Sequence, residues 1–335
     1  MTSQLDALLE ALNDPPNILI LPHNNPDPDA IASAVALQYL IEKQLGRKSR
    51  IRYKGFIGRA ENRALVTFLR NPLHPLTDAD FQWADTVVLV DNQPGAGNSA
   101  GNASLPIAAV IDHHPLLRTT ANAAFVDVRP KLGATATILT SYLQEADLLP
   151  TSVLATALFY GIKTDTLSLV RGASEVDIAA YLYLQPHVDI NALIRIETAQ
   201  VPTDYFAQLD TAVRKARIYQ DVVIAFIGPM TYPDLVSEMA DLLLRLEGVQ
   251  WSVCMGIHNG TLSLSVRTRR RRGGAGGLAQ AIVKKDGTAG GHGMMGGGQL
   301  SLDKWDTPTL VAELTQRVLL HLDIPSMTVG IPLFV

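Results

Sequence analysis

Cysteine is almost missing from this chain: Cys254 is the single thiol among 335 residues. One thiol excludes an internal disulfide framework and a thiolate zinc site. Cys254 lies in the apolar segment Trp251-Ser252-Val253-Cys254-Met255 with no base beside it, and reads as buried packing. Surplus positive charge is missing too. Lys and Arg number 28 against 32 Asp and Glu, a net charge of −4. That balance argues against a broad clamp on long duplex nucleic acid, but leaves room for a small phosphorylated ligand in a local basic pocket. No apolar run approaches bilayer-spanning length. Met1 to Glu10 is acidic and amphipathic rather than a basic-then-apolar leader. No membrane partner and a cytoplasmic location are therefore expected.

What the chain does contain is the composition of a folded protein, 47% hydrophobic and 18% charged. Its length favours two domains over one. The most informative stretch is His23-Asn24-Asn25-Pro26-Asp27-Pro28-Asp29, directly after the strand-like run Asn17-Ile18-Leu19-Ile20-Leu21. Open α/β sheets bind ligands in the loops at the carboxyl ends of their strands. Carboxylates crowded there repel one another unless a cation sits among them.

The pattern recurs. Asp91 follows the apolar run 86–90, and Asp112-His113-His114 follow the run 107–111. Between these runs lie helix-like segments at 30–45, 61–70, 133–147 and 151–163, with a second strand at 49–57. The alternation predicts a doubly wound, mostly parallel α/β sheet, in which the acid-rich tips share one edge. The boundaries read as a catalytic domain over 1–180, a helical linker over 181–202, and a smaller α/β domain with a mixed sheet over 203–335, with the active site in the interdomain cleft. In the second half, 250–257 and 261–267 read as a hairpin through Asn259-Gly260. Glycine-rich stretches at 273–277 and 290–298 bracket a helix at 277–284. On composition alone the second stretch is a flexible surface loop.

The candidate metal ligands are His23, Asp27, Asp29, Asp91, His113 and Asp165, the last in Gly161-Ile162-Lys163-Thr164-Asp165-Thr166. All are oxygen or nitrogen donors, a set suited to Mn2+, Mg2+ or Co2+. Two imidazoles favour manganese over magnesium, and four carboxylates balance two divalent ions better than one. Each aspartate alone also fits an ordinary helix cap or Asp-Pro turn. Their joint appearance at successive strand ends favours metal. His74, His187, His258 and His321 lack acidic neighbours and read as solvated or capping residues.

With these residues in hand, the chain resembles the DHH phosphoesterases: His23-x-x-x-Asp27-x-Asp29, then Asp91, then Asp112-His113-His114, then Asp165. Ser265-Val266-Arg267-Thr268 and Gly290-Gly291-His292 resemble pieces of the DHH-associated domain of NrnA-like oligoribonucleases and pAp phosphatases and of RecJ-like exonucleases. The resemblance implies one manganese on His23, Asp27 and Asp91, and a second on Asp29, Asp91, His113 and Asp165, with Asp91 bridging. It implies that Asp112 orients a ligand histidine, that His114 faces the substrate phosphate, and that Arg267, Gly290, Gly291 and His292 bind substrate. Two features depart from the family pattern: Ala32-Ser33 replaces glycine-serine, and Met294-Met295 with a triple glycine follows His292.

These readings lead to a manganese-dependent phosphoesterase that hydrolyses small nucleotides with a hydroxide shared by two ions. The substrates expected are short oligoribonucleotides, pAp, and linear or cyclic dinucleotides. A family II inorganic pyrophosphatase and a non-catalytic nucleotide sensor on the same fold are the alternatives. Arg269 to Arg272 read either as a backbone contact to a short oligonucleotide or as solvated surface. Gly58 to Arg63 read as a solvated helix start or as an arm of the site. The apolar tail Ile331 to Val335 suggests a homodimer interface. A hinge near 172–202, bringing Arg267 and His292 to the metals, is a further expectation.

Overall fold

In the computed structural model, residues 3–100, 105–270, 273–303 and 305–334 are described, except for the side chain of His292. The chain forms two compact units, Met1–Ala199 and Gln200–Val335. Among the described residues, no helix is long and apolar enough to cross a membrane.

The first unit runs α1 (Gln4–Asn13), β1 (Asn17–Leu21), α2 (Pro28–Leu45), β2 (Lys48–Tyr53), α3 (Ala60–Phe68), β3 (Leu73–Pro75), α4 (Asp78–Trp83), β4 (Thr86–Val90), β5 (Ile107–Asp112), β6 (Phe125–Val128), α5 (Thr135–Glu145), α6 (Ser152–Asp165), α7 (Glu175–Leu184) and α8 (Ile190–Glu197). Its six strands pair in the order β3-β2-β1-β4-β5-β6, every pair parallel. After their first residues, Asn17 and Thr86, β1 and β4 are apolar and buried, as a parallel sheet between helical layers requires. The order turns back between β1 and β4. Their carboxyl ends therefore open at a topological switch point, where such sheets leave a crevice.

Local chemistry sets the helix that leaves this edge. Asp27 caps α2 by accepting from Ala30 N at 3.1 Å, and Pro28 occupies the first turn, where its missing N–H costs nothing. Gly46 ends α2 in the left-handed region, φ 61°. α6 packs against α2 through Gly161. A Cβ on Gly161 would lie 3.1 Å from Asp29 Cα and 3.2 Å from the Pro28 carbonyl.

The segment expected as a linker over 181–202 is mostly part of this unit. Leu184, Leu193 and Ile196 are buried in its core, and α8 packs on α3 and α6. β2 also stops short of the strand expected to reach Ile57, ending at Tyr53 before Gly55 turns at φ 88°.

The second unit contains α9 (Thr203–Lys215), β7 (Arg217–Tyr219), β8 (Val222–Pro229), α10 (Leu235–Leu243), β9 (Trp251–His258), β10 (Thr261–Thr268), α11 (Ala275–Val283), β11 (Gly287–His292), β12 (Met295–Ser301), α12 (Thr307–His321) and β13 (Ile331–Pro332). The sheet order is β11-β12-β10-β9-β8-β7-β13, mixed, with only β8 and β9 parallel. The β9–β10 turn is the expected one, with Asn259 and Gly260 at φ 48° and 75°.

The glycine run over 290–298 is a strand pair rather than a loop. β11 and β12 align antiparallel from Gly287–Leu300 to His292–Met295, and β12 joins the sheet through β10. Glycine is required because α11 presses its backbone onto theirs. A Cβ on Gly276 would meet the Gly291 carbonyl at 2.2 Å, and one on Gly296 the Ala275 carbonyl at 2.4 Å. The tail expected as an interface is an edge strand here: Ile331 and Pro332 pair with Ile218 and Arg217. Val335 lies outside the described residues.

Candidate metal centre

The three acid-rich tips follow β1, β4 and β5, which are consecutive neighbours in the sheet. The fold thus brings donors separated by up to 142 positions, His23 to Asp165, to one place. Three groups of ligand atoms each fall within 4.8 Å: His23, Asp27 and Asp91; Asp29, His113 and Asp165; and Asp91, His113 and His114. All six residues singled out as ligands are present. Asp91 and His113 each belong to two groups.

The histidines are aimed by their far nitrogens. His23 Nδ1 lies 2.9 Å from the Asn24 carbonyl, and His113 Nδ1 lies 3.2 Å from the Leu132 carbonyl. A carbonyl only accepts, so Nδ1 carries a proton in each ring and Nε2 is the nitrogen turned towards the carboxylates. His23 Nε2 faces Asp91 at 3.4 Å and Asp27 at 3.8 Å. His113 Nε2 faces Asp91 at 3.6 Å and Asp165 at 3.5 Å, and it is buried without a hydrogen-bond partner. Burial opposes charging His23, but Asp27 and Asp91 outweigh it and raise its pKa, so without a metal a proton on Nε2 answers the carboxylates. A bound divalent cation would displace that proton and take the Nε2 lone pair.

The carboxylates are fixed as firmly. Asp29 is fully buried and caps α5 from a distance, accepting from Thr135 N and Ala136 N at 2.7 Å each. A carboxylate has about four lone-pair sites, so Asp29 keeps some for a metal. Asp91 accepts from Thr135 Oγ1 at 2.9 Å, and its backbone sits in the left-handed region, φ 53°. For a residue with a Cβ that conformation costs about 1–3 kcal/mol, and such strain clusters at functional sites.

The charges tell the same story. Burial raises Asp29 and Asp165 well above the usual carboxylate range, and the neighbouring aspartates raise them further. Asp91 goes the opposite way: burial opposes its ionisation, but the three histidines outweigh it and lower its pKa. The protein alone therefore cannot hold this cluster fully ionised. A divalent cation would reverse that order, and the all-oxygen-and-imidazole donor set suits manganese, magnesium or cobalt.

Asp112 departs from its expected role. Its Oδ1 lies 2.8 Å from His114 Nδ1 and accepts from the backbone N–H of His113 and His114. The ring it orients is that of His114, whereas the ligand-like His113 ring is held by a carbonyl. Burial opposes charging His114, but Asp112 and Asp91 outweigh it and raise its pKa to about 9. A cationic, partly exposed imidazole here suits an anionic group.

Sequence reading missed the supports. Gln93 is buried, donates to Asp112 Oδ2 at 2.7 Å, and accepts from Leu117 N and Thr120 Oγ1. Thr135 ties Asp91 and Asp29 together. Asp177 braces the loop before α5 by accepting from Gly133 N at 2.9 Å and Thr137 Oγ1 at 2.6 Å. The one local signal was Asn92-Gln93 following an apolar strand. The other partners are distant in sequence.

In the second unit, Arg267 lies on β10 with Nε donating to Asp241 at 2.6 Å and Nη1 to Ser265 at 2.8 Å. Gly290 and Gly291 lie on β11. His292 is in register with Met295, but its side chain is outside the described residues. Arg269 donates to the Leu244 carbonyl and Arg270 to Asp221, and Arg271 and Arg272 lie outside the described residues. Arg59, in the segment read as a solvated helix start, lies 3.8 Å from Glu61.

Comparison with known proteins agrees with this architecture. Residues 17–162 match the family described as "DHH family, N-terminal domain". A Methanocaldococcus jannaschii protein of undescribed activity is 38% identical over 281 residues, 82% of this chain and 56% of its own. A probable manganese-dependent inorganic pyrophosphatase of Streptococcus pyogenes is 29% identical over 160 residues, 48% of this chain and 51% of its own. The chain thus spans about half the length of these curated relatives. The crystal structure of an exopolyphosphatase-related protein from Bacteroides fragilis superposes with a TM-score of 0.74 at 14% identity, covering 94% of this chain and 95% of that one. That likeness shows a shared fold.

Proposed function

We propose that this chain, whose residues 17–162 match the DHH family N-terminal domain, is a manganese-dependent phosphohydrolase that acts on small nucleotides. One observation carries the reading: two donor triads, linked through Asp91 and His113, converge at the sheet's switch point with an unsatisfied His113 Nε2 facing two carboxylates. His23, Asp27 and Asp91 would hold one ion, and Asp29, Asp91, His113 and Asp165 the second. Bound there, two divalent ions would supply polarisation of a phosphoryl group and acidification of water. The chain's own residues do the rest. Asp91 and Asp29 are locked by the start of α5. His114, oriented by Asp112, would donate to a phosphate oxygen. No protein nucleophile is needed, which accords with a single buried cysteine. Arg267, Gly290, Gly291 and His292 would bind the substrate.

A second reading, an inorganic pyrophosphatase, is favoured by the Streptococcus pyogenes relative, whose matched segment amounts to 48% of this chain. A panel assay with manganese decides between them: pAp, a linear dinucleotide, short RNA and pyrophosphate. Release of mononucleotide or phosphate from the first three supports the nucleotide reading, and turnover of pyrophosphate alone overturns it. Asp91→Ala and His113→Ala should each lower kcat by at least about 1,000-fold, the scale of losing a main electrostatic element. Unchanged rates would remove the centre described here.

A further inference from the structure

The tip after β4 reaches the tip after β5 through one side chain, Gln93. It stands two residues past Asp91 and is 1% exposed. Its Nε2 donates to Asp112 Oδ2 at 2.7 Å and to the Pro115 carbonyl at 3.2 Å. Its Oε1 accepts from Leu117 N and from Thr120 Oγ1, both at 2.8 Å. An amide offers two donors and two acceptor sites, and all of them are taken. Turned over, it would set Oε1 against a carboxylate and a carbonyl, and its NH2 against the Leu117 N–H. A single orientation is therefore fixed.

A buried amide is costly unless its partners are present. Methionine would fill a similar space without that cost, so packing alone gives no reason for glutamine here. Asp112 supplies one. It is 1% exposed, and its two oxygens have separate partners. Oδ1 accepts from the N–H groups of His113 and His114 and faces His114 Nδ1 at 2.8 Å. Among the described residues, Oδ2 has Gln93 as its hydrogen-bond donor. Without that donor a buried carboxylate oxygen would lack a partner, and the group would turn to recover one. Oδ1 would then leave the His114 ring.

Gln93 also holds the chain on both sides of that ring, at Asp112 before it and at Pro115 and Leu117 after it. The hydrogen bonds run in series from Thr120 through Gln93 and Asp112 to His114, and bonds in series strengthen one another. The His113 ring stands outside this series, held by the Leu132 carbonyl at 3.2 Å.

We propose that Gln93 is a positioning residue for phosphoryl transfer: through Asp112 it holds the His114 imidazole at the angle from which it meets the substrate phosphate, and it acts on that ring rather than on the metal ligands. The role rests on the placement of His114 at the phosphate given above. It holds for nucleotides and pyrophosphate alike.

The test uses the full chain with manganese and whichever member of the substrate panel it hydrolyses fastest, in a cycle of His114→Ala, Gln93→Met and the double variant. His114→Ala should lower kcat/KM about 100-fold, the scale of losing one donor to a developing charge. Gln93→Met should lower it about 10-fold, as loss of a supporting partner does. Once the ring is gone Gln93 has nothing left to position, so the double variant should match His114→Ala. Independent effects would instead multiply to about 1,000-fold. Manganese affinity, read by titration, should escape the ~10- to 100-fold loss expected when a ligand's support is removed. Thr120→Val keeps the shape and removes one bond to Oε1. It should act in the same direction by a smaller factor, and it takes the place of Gln93→Met in the cycle if that variant does not fold.

A second readout needs neither metal nor turnover. In metal-free protein labelled at the histidine nitrogens, the His114 ring resonances, assigned by their loss in His114→Ala, should shift in Gln93→Met and in Thr120→Val. Unmoved resonances, a multiplicative double variant or a fall in manganese affinity each overturns the positioning role and leaves the metal centre standing. An unchanged rate in His114→Ala removes that ring from the substrate and the role of Gln93 with it. A wild type that hydrolyses no member of the panel removes the phosphohydrolase reading and the positioning role together.

Discussion

At the residue scale, the centre depends on atoms whose partners lie far away in sequence. Thr135 Oγ1 donates to Asp91 while its N–H donates to Asp29, so one residue sets two candidate ligands. Thr135→Val keeps the shape and removes the bond to Asp91. Loss of such a supporting contact should weaken manganese binding about 10- to 100-fold, as read by titration. An unchanged affinity would show that Asp91 is held by its backbone alone. Cys254 gives a second prediction. It is fully buried, and burial pushes its thiol up to about 12. At pH 8 the reactive thiolate is scarce and shielded. A disulfide reagent should therefore leave the native protein untouched and titrate one thiol in guanidinium. The six candidate ligands were legible in sequence because each follows a strand or ends a helix. Gln93 and Asp177 were not, since nothing local indicates that they would reach Asp112 or Gly133.

At the element scale, the tight contact of α6 on α2 positions Asp29. Gly161 is the contact point, with backbone of residues 28 and 29 just beyond a would-be Cβ. Gly161→Val must push the helices apart, at a cost of about 1–3 kcal/mol for overpacking. The urea midpoint should fall with little change in slope, and manganese affinity should fall with it. A stable variant with wild-type affinity would show that the helices yield without disturbing Asp29. Long elements with clear periodicity, such as α2, α5 and α6, were readable from the chain. β3 and β6 were not, having only three and four residues, too few to show a period. β11 and β12 were hidden by glycine, which has low strand propensity and no side-chain pattern. Their pairing is imposed by register with β10 and by the close approach of α11.

At the scale of the whole molecule, all six candidate metal ligands belong to the first unit. Manganese at 100 times its dissociation constant should stabilise the state that binds it by about 2.7 kcal/mol. Hydrogen exchange should therefore slow in segments 22–30, 91–93, 112–114 and 133–136. The β9–β10 hairpin, which carries none of these ligands, should exchange as before. Equal protection of both units would refute a centre confined to the first.

By itself the sequence determined the alternation of strands and helices, the two-part organisation and the set of candidate donors. These follow from local hydrophobic period and from polar residues placed at strand ends. Only the tertiary structure decided that β1, β4 and β5 are neighbours, that Asp29 caps a helix more than a hundred residues away, and that Asp112 serves His114. Those facts arise from strand order and packing, which join residues by space and leave no trace in local pattern.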